Sequence, residues 1–210
     1  METATHTLEL AALAGYVDAE TERWHQWFAT APAEVLTLSL GAGTDDTVGG
    51  LVKHIFAVEL RYAQRLLDQP VTEYADLPDG GVPELWRTHE TAAELRDRYL
   101  RGATADDLSR VLVFDTRRAG RMSARAHDVV VHALLHGIRH WAQIATVLRQ
   151  HGHGGLWGHD WLMHALIPVE ESATAGWRHG SAGATVEAPQ QVEWSPIGTG
   201  VRHRRPTHGG

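Results

Sequence analysis

The sequence predicts an all-α protein: an antiparallel four-helix bundle with one long crossover and a small β arm before its last helix. Three observations predict it. Four long segments repeat apolar residues at steps of three, four and seven, the spacing of helices with one buried face. An irregular stretch containing Pro70, Pro78 and the pair Gly80-Gly81 separates the second segment from the third. One short β-prone run, Val111-Leu112-Val113-Phe114, precedes the last. Four long helices joined by one long connection pack most economically as an antiparallel bundle.

The first helix is expected from Leu8 to about Thr30, with Leu10, Leu13, Val17, Trp24 and Phe28 inward and Asp18, Glu20, Glu22 and Arg23 on the opposite face. Pro32 helps to end it. After the turn Gly41 to Gly43, Thr44 with Asp45 and Asp46 offers N-cap groups and favourable negative charge for a second helix running to about Asp68. Its stripe is Leu51, Ile55, Val58, Tyr62 and Leu66. A third helix begins near Pro83, a good first-turn residue, and runs to about Arg101 with Leu85, Trp86, Ala92, Ala93 and Tyr99 inward. The β-prone run and the turn from Thr116 to Gly120 suggest a strand or hairpin arm. The strongest helical signal spans Ala124 to Gln150, with Val129, Ala133, Gly137, Ile144, Val147 and Leu148 on one side and Gly152 where a C-terminal cap belongs. Trp161 to Ile167 can add one or two turns.

With 210 residues and 43% apolar content, the chain has room for one domain plus a tail. We place the bundle at 1–167 and an extended, partly ordered tail at 168–210, within which Val186 to Trp194 could form a strand. The absence of Cys excludes disulfides, thiolate zinc sites, iron–sulfur clusters and a thiol nucleophile of the protein's own. A net charge of −7, a single Lys at Lys53, and Arg residues interspersed with Glu and Asp argue against nucleic acid. The basic knot Arg202, Arg204 and Arg205 reads as solvated tail. Met1-Glu2 lacks a basic leader, and Glu9 interrupts the first apolar run, so no secretory signal is expected. No apolar run approaches the roughly 18 residues of a membrane span. A cytoplasmic location follows as the expectation.

The chemically informative residues are ionisable groups on buried stripes. His132, His136 and His140 follow one another at steps of four on the last helix, and His136 and His140 fall within its apolar stripe. Imidazoles four residues apart project from one side of a helix, close enough to reach one metal ion. The spacing is cheap in a chain with 15 His, and core histidines bonded to the backbone are the ordinary alternative. His54 on the second helix adds weight, since bundle sites are built from facing helices and three imidazoles with an open fourth position make a reactive metal site. His89, between Leu85 and Ala92 on the third helix, is its rival as third ligand. A di-iron carboxylate site is disfavoured, because Glu-x-x-His occurs once, at Glu22 and His25. A zincin is excluded at His89-Glu90, where Ala93 takes the place of the second His. His151, His153, His159 and His164 flank a glycine-rich turn and read as polar loop residues. Most of the eight Trp, among them Trp24, Trp27, Trp86, Trp141 and Trp161, read as core anchors, with Trp141 also placed to line a pocket.

The run HALLHGIRHWAQIATVLRQHG, His132 to Gly152, resembles the last-helix signature of the DinB-like superfamily: a leading His, then H-G-x-x-H, then Gln and an apolar run ending in L-R-Q-x-G. LVKHIFAVELRYAQRLL, Leu51 to Leu67, resembles its second helix, and VLVFDTRRAGRMSARAHDVVVH the arm into the last one. The likeness covers about Leu8 to Leu166. It departs at Leu135, where Asn is common, and at Trp141, where Arg is common.

The resemblance implies a bundle, often dimeric, holding a divalent metal, zinc or nickel, through His54, His136 and His140. It also implies relatives that transfer low-molecular-weight thiols to electrophiles. A cation with three neutral ligands keeps its charge and can activate a thiol or water. In a protein without Cys the thiol would have to arrive on a cosubstrate such as bacillithiol, mycothiol or glutathione. Gln143, one turn beyond His140, could orient a ligand or substrate, or be a surface amide. Glu59 could support His54 or act as general base, or be an exposed helix charge. A metal-dependent hydrolase uses the same three His, and a non-catalytic metal-binding homodimer is the reading from another class.

Overall fold

A computed structural model describes residues 9–41, 46–116, 120–154 and 156–165. The tail expected at 168–210, with its suggested strand and basic knot, lies outside the described residues. Six α-helices occur in chain order among the described residues: α1 (Leu10–Thr30), α2 (Val48–Leu66), α3 (Val82–Gly102), α4 (Ala105–Ser109), α5 (Ala126–Gln150) and α6 (Trp161–Ala165). Two antiparallel strands, β1 (Val111–Thr116) and β2 (Gly120–Arg125), precede α5. The long helices α1, α2, α3 and α5 form the expected all-α bundle, and the hairpin is the β arm. No helix among the described residues is long and apolar enough to cross a membrane.

Helix α2 is central, packing against both α3 and α5. It is buried almost all round, through Leu51, Val52, Ile55, Phe56, Ala57 and Leu60, as expected of a helix walled in on several sides. Even its single Lys is covered: Lys53 Nζ donates to Leu77 O at 2.9 Å and pairs with Asp79 at 2.6 Å, tying α2 to the crossover. The aromatic part of the core gathers Trp24, Phe28, Phe56, Trp86 and Trp141, with Trp24 and Trp141 stacked 5.1 Å apart. Trp141 is therefore a core residue, as its spacing suggests. A second cluster joins Leu13 and Val17 to Leu66, Tyr99, Val129 and Leu134. At the end of α5, Gly152 takes φ +82°, and His153 N donates to Leu148 O while Gly152 N donates to Arg149 O. This is a Schellman cap, and it requires the left-handed conformation that Gly adopts without strain.

Two expectations are corrected. The cap of α2 is Thr47, its hydroxyl accepting from Gly50 N at 3.0 Å, and not the expected segment from Thr44, which itself lies outside the described residues. The helix starts late because the chain first pairs with itself, Leu40 N with Asp46 O and Val48 N with Leu38 O. Gly49 lets the backbone at Leu36 approach closely there, since a Cβ would sit a tight 3.1 Å from Leu36 O.

The second correction concerns Glu20, placed by periodicity on the solvent face but only 1% exposed. Its carboxylate accepts from Trp157 Nε1 at 2.9 Å and from His159 Nδ1, and His159 stacks on Trp24. Tyr16 Oη donates to His159 O. His159 is thus no free loop residue: it docks the segment after α5 onto α1, a cover that helical periodicity within α1 has no means of registering.

Candidate metal centre

Helix α2 supplies His54 and α5 supplies His136 and His140, one turn apart. The His136 Nε2 atom lies 3.1 Å from His54 Nε2 and 3.1 Å from His140 Nε2, and one ligand atom from each residue falls within 4.8 Å of the other two. His136 and His140 are 9% and 7% exposed, whereas His54 is half-buried. The three imidazoles form the one such group of metal-ligating side chains among the described residues.

Two contacts define the state of His140. Its Nδ1 donates to Gln143 Oε1 at 2.5 Å, and its Nε2 accepts from Arg139 Nη2 at 2.9 Å. The proton is thereby placed on Nδ1 and a lone pair on Nε2, the tautomer a ligating imidazole needs. Burial, followed by the neighbouring imidazoles His140 and His54, pushes His136 down to about 3, so it is neutral across the physiological range. Its Nδ1 has no hydrogen-bond partner among the described residues.

This donor set fits a divalent cation. Three imidazole nitrogens face one another in a group without a carboxylate, a combination that suits zinc and its neighbours. Tetrahedral ligands at about 2.0–2.1 Å from zinc stand about 3.3 Å apart, close to the separations seen here.

The remaining candidates separate cleanly. His89 does not join the group: its Nδ1 lies 2.9 Å from Glu59 Oε2, and its ring packs on Phe56. Glu59 is not an exposed charge but 9% exposed, and its hydrogen bond with His89 links α2 to α3. The other oxygen of Glu59 faces Gly137 on α5, where a Cβ would come within 3.2 Å of it. His132 is exposed and packs edge-on against Tyr62. Gln143 is exposed but orients His140.

Sequence reasoning missed two features of the surroundings. Arg139 touches the ligating atom of His140, and an ordinary helix-surface Arg carries no mark of that. A cleft of about 370 Å³ opens beside His54, lined along α2 by Val58, Arg61, Tyr62 and Arg65 and across from them by Phe114 of the β arm. Continuing the His54 stripe along α2 at helical steps would have found the α2 members; Phe114 enters only because the arm folds back.

The DinB family model matches residues 1–164 of the chain. No curated protein matches it.

Proposed function

Because the chain belongs to the DinB family, we propose that it is a metal-dependent transferase that joins a low-molecular-weight thiol to small electrophiles. The observation that carries this reading is the convergence of three Nε2 atoms, with one face of the group left partly open at His54. A divalent cation there, zinc or nickel, would supply Lewis acidity at full charge, so that a thiol or water beside it loses its proton near neutral pH. The protein's own residues hold and orient. His54, His136 and His140 supply neutral donors, and Gln143 fixes the His140 tautomer as a positioning residue. In the transfer, the sulfur electron pair forms the new S–C bond, the leaving group departs with the pair of the bond it held, and the thiol proton passes to water. With no Cys in the chain, the sulfur comes from a cosubstrate.

The cleft at His54 favours an enzyme over a bundle that merely stores a metal, since it offers room for a small molecule at the donor group. Free thiols persist in reducing compartments, so the cytoplasm is the proposed location. Pairing of two copies is proposed with it; Val111, Val113 and Leu135 are exposed apolar side chains that a homodimer would cover, and sedimentation velocity reads the result.

Elemental analysis tests the centre. Purified protein is expected to carry close to one divalent metal per chain, with His54→Ala, His136→Ala and His140→Ala each losing it. Retention by all three variants refutes the centre. Thiol consumption against a panel of alkylating electrophiles then tests the reaction: turnover only of esters or amides, without thiol loss, would replace transfer by hydrolysis.

A further inference from the structure

The cleft beside the triad has a built polar end that the metal chemistry does not use. We propose that it binds small molecules carrying a carboxylate, which Arg61 and Arg65 hold while the rest of the molecule extends to His54. The inference rests on the reading of the triad as a metal centre only for what happens at the His54 end.

Arg65 carries the argument. Its guanidinium lies 5.5 Å from the ring centres of both Tyr62 and Phe114, and its Nη1 donates to Arg61 O at 3.1 Å. The side chain is thus folded back along α2 toward His54 and laid over two neighbouring aromatic rings. Among the described residues no carboxylate comes within ion-pair distance of it. Burial, then the like charge of Arg61, pushes its pKa down, and these outweigh the opposing influence of Tyr62 and Glu73. Arg61 is fixed in turn by Thr72 O at 2.7 Å.

The cleft also contains two acids, and both are peripheral. Glu73 is 75% exposed and 3.8 Å from Arg61, and Asp115 is exposed on β1. Solvent screens both, whereas a planar guanidinium fork held against rings suits bidentate capture of a carboxylate. Arg61 lies seven residues from His54, about 10 Å along the helix. An anion there leaves space for a short chain whose far end meets the imidazoles.

Cobalt-loaded protein titrated with mercaptohexanoate and mercaptohexanol, followed by cobalt absorption, tests the arrangement. The acid is expected to bind about ten-fold more tightly than the alcohol, and Arg65→Gln to abolish that advantage while leaving the alcohol's affinity unchanged. Metal-free protein titrated calorimetrically with hexanoate reads the arginine end alone; there Glu73→Gln is expected to tighten binding about three-fold by removing a competing charge. Equal affinities for acid and alcohol, or an advantage that survives Arg65→Gln, overturn the proposal. Failure of cobalt to bind while hexanoate still binds would instead refute the metal centre and leave the carboxylate site standing.

Discussion

Replacing Glu20 by Ala removes the acceptor for two donors at once, Trp157 Nε1 and His159 Nδ1, at a position only 1% exposed. Each stranded donor costs about 1–3 kcal/mol, and Ala recovers a few tenths through its better helix propensity, so the net loss is about 3 kcal/mol. With a urea dependence of about 2 kcal/mol per molar, the unfolding midpoint drops by about 1.5 M. Glu22→Ala on the same helix is the control. That side chain is 61% exposed and accepts from Gln26 one turn on, which gives a loss within about 0.5 kcal/mol and a midpoint shift near 0.3 M. Urea titrations of both variants, followed by circular dichroism, make the comparison. If Glu20→Ala shifts the midpoint no more than Glu22→Ala, the buried network does not hold the segment after α5, and the solvent-face reading of Glu20 stands after all.

The site yields opposite expectations for two neighbouring side chains. Gln143→Leu leaves His140 Nδ1 without its acceptor and should weaken metal binding about 10-fold or more, read by competition with a chromophoric chelator. Arg139→Gln removes a cation and a donor that competes for His140 Nε2, so affinity in the same titration should rise about five-fold; a fall would show that Arg139 supports the centre. The Glu59–His89 pair gives a pH signature: burial pushes His89 down, but the hydrogen bond and charge of Glu59 outweigh it, and its pKa lies above the ordinary 6.5. A raised folded value means that the stabilisation is complete below the unfolded pKa and is lost as pH climbs through the folded one. His89→Leu should therefore be more destabilising at about pH 6 than at about pH 9, and an equal or larger effect at high pH would refute the pairing. Finally, Gly15 is exposed within α1 and has open space around its Cβ position, so Gly15→Ala should raise stability by about 0.5–1 kcal/mol, a few degrees in Tm.

The positions of the four long helices could be read from the chain because each buries a face at a local period, and the β arm because its composition breaks that period. The cap at Gly152 was legible for the same reason: a left-handed residue after a helix is a local demand. Capping of α2 was not, since the backbone pairing of Leu40 with Asp46 and of Leu38 with Val48 sets the start of the helix, with Thr47 as its cap. His136 and His140 announced their common side through a four-residue step, but the choice between His54 and His89 as third member was open to residue reading alone.

What the sequence determined by itself is therefore the set of helices, the absence of any thiol of the protein's own, and the imidazoles that could share a face. Tertiary structure decided which of them meet. His54 and His89 both sit on inward stripes, yet the packing of α2 between α3 and α5 turns one toward His136 and hands the other to Glu59. Docking of the segment after α5 on α1 likewise buries Glu20 under Trp157 and His159, and the folded-back β arm brings Phe114 against Arg65. Periodicity within one helix reports only that a face is covered; the identity of the covering group depends on the rotation and offset of another element, and that is fixed when the side chains of the whole core interlock.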